Sequence, residues 1–151
     1  MKKDIKAILY SALLHDIGKL FLPANLFDGR SISSKEYAEV KKHALMALWT
    51  LGDKHMFVAL CASLHHAVYE KGYGLSMKDF PKSLQIRTVK KILEIATIIS
   101  ICDFIEAFTH RKTAPKNEIV LNLRETLGEK YPDDELVIEK ALKGARMLKW
   151  M

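Results

Sequence analysis

Apolar residues recur at helical spacing along nearly the whole chain, and the interruptions fall at glycine, proline and capping residues. Ile5, Ile8, Leu9, Ala12, Leu13 and Ile17 form the first row and predict a helix over 4–20. Gly18 weakens its end and Pro23 argues against its continuing, so 21–33 reads as a loop with a turn at Asp28-Gly29. Ser33 and Glu36 form a capping box. It opens a second helix through Tyr37, Val40, Ala44, Ala47, Leu48 and Leu51, with Gly52 as the stop. Asp53 caps a third, Lys54 to about Glu70, which turns Phe57, Leu60, Cys61, Leu64 and Val68 inward. Gly72, Gly74 and Pro81 make 71–82 a second loop. Ser83 caps a long helix to about His110. It is apolar on most sides from Ile92 to Ile105, as expected of the buried centre of a bundle. Pro115 and Asn117 precede a helix to Leu127, and Pro132-Asp133 lead into the last, Asp134 to about Leu148. No strand pattern, repeat or low-complexity segment is visible. The expected fold is a single all-α domain over 1–151, a bundle of about six helices.

Composition narrows the setting. A chain of 151 residues, 49% apolar and 28% charged, can bury one sizeable core. Cys61 and Cys102 both stand in apolar runs and read as reduced core residues, which suits a cytoplasmic protein. Lys2 and Lys3 precede an apolar run, but it ends in His15-Asp16 without a small-residue cleavage site, so no secretory signal is expected. The most apolar stretch, Ile95 to Ile101, is too short to cross a bilayer, and no membrane partner is expected. The net charge of +6 favours an anionic ligand such as a nucleotide. No long basic run is present, so a nucleic acid is not the expected partner.

Candidate chemistry comes from polar residues where the pattern wants apolar ones. The first helix carries His15 and Asp16, the second His43, the third His65 and His66, and the fourth Asp103. A bare carboxylate in an apolar setting is costly and should be paired or metal-bound. A single histidine on an apolar stripe is usually a hydrogen-bonded core residue. One such site on each of four helices argues instead for convergence. Imidazole and carboxylate together suit iron, manganese, nickel or zinc. Four histidines and two carboxylates exceed what one ion normally takes and fit a two-metal site with one bridging carboxylate, an arrangement suited to phosphoryl displacement; one or two ions are expected. Lys19 follows His15 by four residues and is placed to neutralise a phosphate oxygen. His55 and His110 stand at helix ends and read as surface residues; Arg111 reads as a cation at a solvated helix C-terminus.

Leu14-His15-Asp16-Ile17-Gly18-Lys19 resembles the HDxGK motif of the HD-domain metal-dependent phosphohydrolases. The stretch from Leu22-Pro23 through Ser33-Ser34-Lys35-Glu36 to His43 resembles the segment leading to that family's next histidine. Leu64-His65-His66 resembles its double histidine, and Gly72-Tyr73-Gly74 the motif that names its HD-GYP branch. Asp79-Phe80-Pro81 resembles the stretch just after it, and Ile101-Cys102-Asp103 through Thr109 the final aspartate motif. The resemblance implies an all-helical fold, a centre of two or three metals and, often, hydrolysis of cyclic di-GMP. It implies His15, Asp16 and Asp103 on one ion, with Asp16, His43, His65 and His66 on the other. By carry-over, Lys19 and Arg111 would hold phosphate, and Tyr73 would line the substrate site.

Some features depart from the family. Its members have a further helix before the HD pair, with a histidine and often a glutamate; residues 1–14 hold neither. One ion is therefore expected to lack one or two ligands. The apolar surface left bare is expected to be covered by a second copy or a partner chain. The GYP proline is Gly74, the loop from His66 is a residue short with Tyr69-Glu70-Lys71 in it, and Arg111 is a residue closer to Asp103. The expected function is that of an HD-GYP phosphodiesterase with Asp16 and Lys19 as catalytic residues. The alternatives are a degenerate HD domain that binds nucleotide, metal or a partner without catalysis, and an HD nuclease or nucleotidase.

Overall fold

The structure is a computed structural model that describes the backbone of residues 2–69, 72–110 and 116–150, and side chains over 5–69, 72–109 and 122–150. It is all-helical, with no strand among the described residues. The helices are α1 (Lys2–Leu14), α2 (Ser34–Val40), α3 (His43–Leu64), α4 (Ile86–His110), α5 (Lys116–Lys130) and α6 (Glu135–Met147). Short 3-10 turns occupy Ile17–Phe21, Ala24–Leu26 and Met77–Asp79. No described helix is long and apolar enough to cross a membrane.

Backbone packing divides the chain into two compact units, 1–99 and 100–151, and α4 runs from one into the other. In the first unit, α3 packs against α1 and the Ile17–Phe21 turn. Its core joins Leu60, Cys61 and Leu64 of α3 to Ile92, Ile95, Ala96 and Ile99 of α4, with Leu75 of the connecting loop. Burial pushes the Cys61 thiol up to about 12, so this cysteine behaves as a small apolar residue. In the second unit Ile105, Leu123, Leu127, Ile138 and Leu142 are buried, and Arg124 on α5 pairs with Glu139 on α6 at 2.7 Å. The buried Tyr131 hydroxyl lies 2.7 Å from Ser100 Oγ. Cys102 is exposed, contrary to its expected place in the core. The buried positions Ile101 and Ile105 are four apart and leave Cys102 on the neighbouring face.

Helix boundaries differ from expectation where the candidate site begins. The capping box forms as expected: Ser33 Oγ accepts from the Glu36 amide, and the Glu36 carboxylate accepts from the Ser33 amide. The expected helix 4–20 stops at Leu14, and the expected helix from Ser33 to Leu51 stops at Val40. The third does not reach Glu70 but ends at Leu64. The expected break at Gly52-Asp53 takes another form, a non-helical residue within α3 at His55 (φ −146°, ψ 66°). A straight helix of this length would run about 33 Å. Yet the rings of His43 and His65, at its two ends, have centroids 5.6 Å apart. α3 therefore doubles back at His55 and returns its last residues to its first. The exposed His55 is the bend.

Candidate metal centre

Three histidines sit at helix ends rather than inside helices. His15 follows α1, His65 follows α3, and His43 comes three residues after α2 while opening α3. Each ring packs its Nδ1 against the backbone carbonyl three residues back: Ala12 at 2.7 Å, Val40 at 2.6 Å and Ala62 at 2.5 Å. The last carbonyls of a helix lack intrahelical partners, and a histidine at the C-terminus can donate to one. A carbonyl only accepts, so Nδ1 must carry the hydrogen. In the neutral ring the lone pair is then on Nε2. Three separate helix ends thus fix the same tautomer.

The Nε2 atoms of His15, His43 and His65 and Oδ1 of Asp16 are all closed off from solvent. His43 Nε2 lies 3.3 Å from Asp16 Oδ1, and His15 Nε2 lies 3.4 Å from Asp16 Oδ2. Neither His43 Nε2 nor Asp16 Oδ1 makes a hydrogen bond. A lone pair facing a carboxylate oxygen is repulsive unless a proton or metal ion lies between them. Burial, as the largest influence, holds the His43 ring below its ordinary value, against the smaller raising effects of the Val40 carbonyl and Asp16. Desolvation therefore works against the proton at this ring. Donor atoms of His43, His65 and His66 all lie within 4.8 Å of one another, as do those of His15, Asp16 and His65. The donor set and its two unsatisfied atoms fit a divalent metal ion.

His65 belongs to both groups and is fully buried. Its ring stands 5.0 Å from His15 and 3.8 Å from His66, centroid to centroid. Tyr73 closes one side, its ring 4.4 Å from His66 and 5.9 Å from His43. Contrary to expectation, Lys19 does not share a helix with His15. It stands in the 3-10 turn, where its ammonium bonds Asp16 Oδ2 at 2.5 Å. Tyr37, read from the sequence only as part of an apolar row, and Lys41, which the pattern did not single out, stand beside Tyr73. The Tyr37 ring is 6.4 Å from that of Tyr73, and Lys41 Nζ lies over both, at 4.8 and 5.6 Å. The i,i+4 spacing puts Tyr37 and the C-cap residue Lys41 on one edge at the end of α2.

Of the expected ligands, His15, Asp16, His43, His65 and His66 come together in the first unit. Asp103 lies on α4 in the second unit, where its charge acts on Cys102, Lys130 and Tyr131. Arg111 lies outside the described residues, as do Glu70, Lys71, Pro115 and the side chain of His110. Gly74, where the resemblance expected proline, has φ +112°. A proline ring fixes φ near −65° and cannot adopt it. A Cβ at Gly74 would also stand 2.3 Å from the Ser63 carbonyl oxygen, which accepts from the Leu75 amide. The Leu75 amide, just after Gly74, ties this loop to Ser63 near the end of α3 at 2.9 Å.

The depressed His43 value has a consequence for stability. The folded protein resists protonating this ring, so below about pH 6.5, its ordinary value, the unfolded chain binds more protons. The metal-free protein is expected to lose stability as pH falls from 7 to 5. His43→Gln should flatten that slope in urea melts taken across the range; an unchanged slope would show that another group causes it.

Comparison with known protein families, with curated proteins and with solved structures finds no match.

Proposed function

We propose that this chain is a metal-dependent phosphohydrolase of the HD type, most similar in motif order to the HD-GYP branch, with a cyclic dinucleotide as substrate. The observation that carries the metal centre is the fixed tautomer of three histidines, each offering Nε2 toward Asp16 or toward the others. His15, Asp16 and His65 would hold one ion, and His43, His65 and His66 make a second, overlapping set. The chemistry such an ion supplies when bound is Lewis-acid polarisation of a phosphoryl oxygen and deprotonation of water near neutral pH.

The residues around the set have tasks that follow from their positions. Ala12, Val40 and Ala62 hold the rings in orientation through Nδ1. Asp16 places its two oxygens toward different histidines. Lys19 neutralises Asp16 and can turn its ammonium to a phosphate oxygen at the same edge. Tyr73 covers His66 and limits water on that side.

The test is turnover of cyclic di-GMP with manganese or iron, read as linear dinucleotide or GMP. The full chain is expected to hydrolyse it, and Lys19→Ala should lower kcat about 100-fold without lowering metal content. Metal uptake without hydrolysis of any phosphodiester would reduce the proposal to binding alone. The ion pair between Lys19 and Asp16 favours that second reading, because an ammonium already offsets part of the charge that a metal would meet. Cleavage of single-stranded nucleic acid in place of the cyclic substrate would point to an HD nuclease.

A further inference from the structure

The bend in α3 leaves a cavity that belongs to neither group of candidate ligands. It is an open concavity of about 390 Å³ lined by residues of the first unit. Leu48, Gly52, Met56 and Leu60 follow one another at four-residue steps along α3, across the bend at His55. Trp49 and Asp53 stand beside that row, and Asp79 lines the cavity from the loop before α4.

Two properties of this cavity are unusual for this protein. The first is charge: the chain carries a net +6, yet the ionisable residues lining the cavity are Asp53 and Asp79, with no lysine or arginine among them. Asp79 is held in place by the Ser76 amide at 2.9 Å and the Ser76 hydroxyl at 2.6 Å, both donating to its Oδ2. Those bonds, the hydroxyl's first, also keep its carboxyl below the usual range, so it is anionic at neutral pH. The second is exposure: Trp49 is 78% exposed and Met56 44%, large apolar side chains left in water at a concave site. An aromatic face beside two carboxylates is poor at binding anions and well suited to a cation with apolar substituents. The ring quadrupole attracts the charge, the carboxylates complement it, and the alkyl groups cover Trp49, Met56 and Leu60. The volume is in the range of small-molecule pockets.

We propose that this cavity is a binding site for a small alkylated ammonium cation, separate from the histidine–aspartate centre. Trp49 supplies the aromatic face, Asp53 and Asp79 supply the charge, and the α3 bend shapes the floor. The site does not depend on a metal or on phosphohydrolase activity.

The experiment follows Trp49 emission in a Trp150→Phe background, where Trp49 is the remaining tryptophan of the two. The probes are choline and its uncharged isostere 3,3-dimethylbutan-1-ol, titrated against the full chain at fixed ionic strength. Choline is expected to give a saturable change at about millimolar concentration or tighter, and the alcohol to bind about tenfold more weakly. Asp53→Asn, an exposed position outside any capping interaction, should weaken choline about fivefold without changing the melting temperature. Asp79→Asn tests the second carboxylate, with circular dichroism to establish that the loop change leaves the helices intact. Equal binding of cation and alcohol would overturn the proposal, as would no saturable response to either. Binding that ignores Asp53→Asn and Asp79→Asn would also overturn it. A basic peptide that binds where choline does not would assign the surface to a protein partner instead.

Discussion

His65→Ala is expected to strip the protein of divalent metal, the largest functional effect of any single change in the cluster. His65 is shared by both sets of donor atoms, so its loss breaks both, whereas losing His15 or His66 breaks one. Its ring is fully buried and its Nδ1 is tied to Ala62. Removing an outer-shell partner of a metal ligand typically costs 10- to 100-fold in affinity, and losing a shared ligand should cost about 100-fold or more. The change also leaves a void and frees the Ala62 carbonyl, so the metal-free variant should be about 2 kcal/mol less stable. Elemental analysis of protein purified with manganese, iron, nickel or zinc reads the first effect, and urea unfolding of the metal-free forms reads the second. His55→Ala is the control, since His55 is exposed at the bend and belongs to neither donor set. Equal metal content in the two variants would sink the metal centre.

The rows of apolar residues were enough to foresee an all-helical chain, because the three- and four-residue recurrence is the same property that buries Leu60, Leu64, Ile92, Ile95 and Ile99. Gly52-Asp53 marked a break close to the real bend at His55, but periodicity could not tell two helices from one that doubles back. That distinction matters most, because the doubling back is what returns His65 to His43. The histidines were read as polar intruders within helices. They stand instead at helix ends, where a ring Nδ1–H satisfies a carbonyl that helix termination leaves without a partner. Pattern arguments see only which face a residue occupies, and these rings are placed by a local hydrogen bond. Asp103 was legible as a polar residue in an apolar helix, but its place in the sequence says nothing about which groups its charge meets. Those turn out to include Lys130 and Tyr131, more than twenty residues along the chain. Tyr37 was read only as part of an apolar row, and Lys41, at the end of α2, carries no signal beyond an ordinary surface charge. Their contact with Tyr73 depends on where the second loop returns.

Gly18→Ala is expected to destabilise the first unit strongly, and to weaken metal binding without touching a ligand. Gly18 is buried where the 3-10 turn crosses the start of α3. A Cβ there would stand 1.9 Å from the His43 carbonyl oxygen, 2.7 Å from its carbon and 3.0 Å from the Ala47 amide nitrogen. All three are backbone atoms within α3, so no side-chain rotation relieves the clash. The turn must move outward as a body, carrying Asp16 two residues before it, and the His43–Asp16 juxtaposition at 3.3 Å opens. Overpacking of a closed site costs about 3 kcal/mol. For a chain of this size that is a fall in melting temperature of roughly 6–12 °C. Gly128→Ala makes the opposite comparison: Gly128 lies in α5 with nothing within 4 Å of the added methyl. There the gain in helix propensity should stabilise the protein by up to about 1 kcal/mol. Differential scanning calorimetry of the two variants, paired with metal titration, separates the effects. If both alanines shift the melt alike, or Gly18→Ala binds metal as the parent does, then the turn does not set the distance between Asp16 and His43.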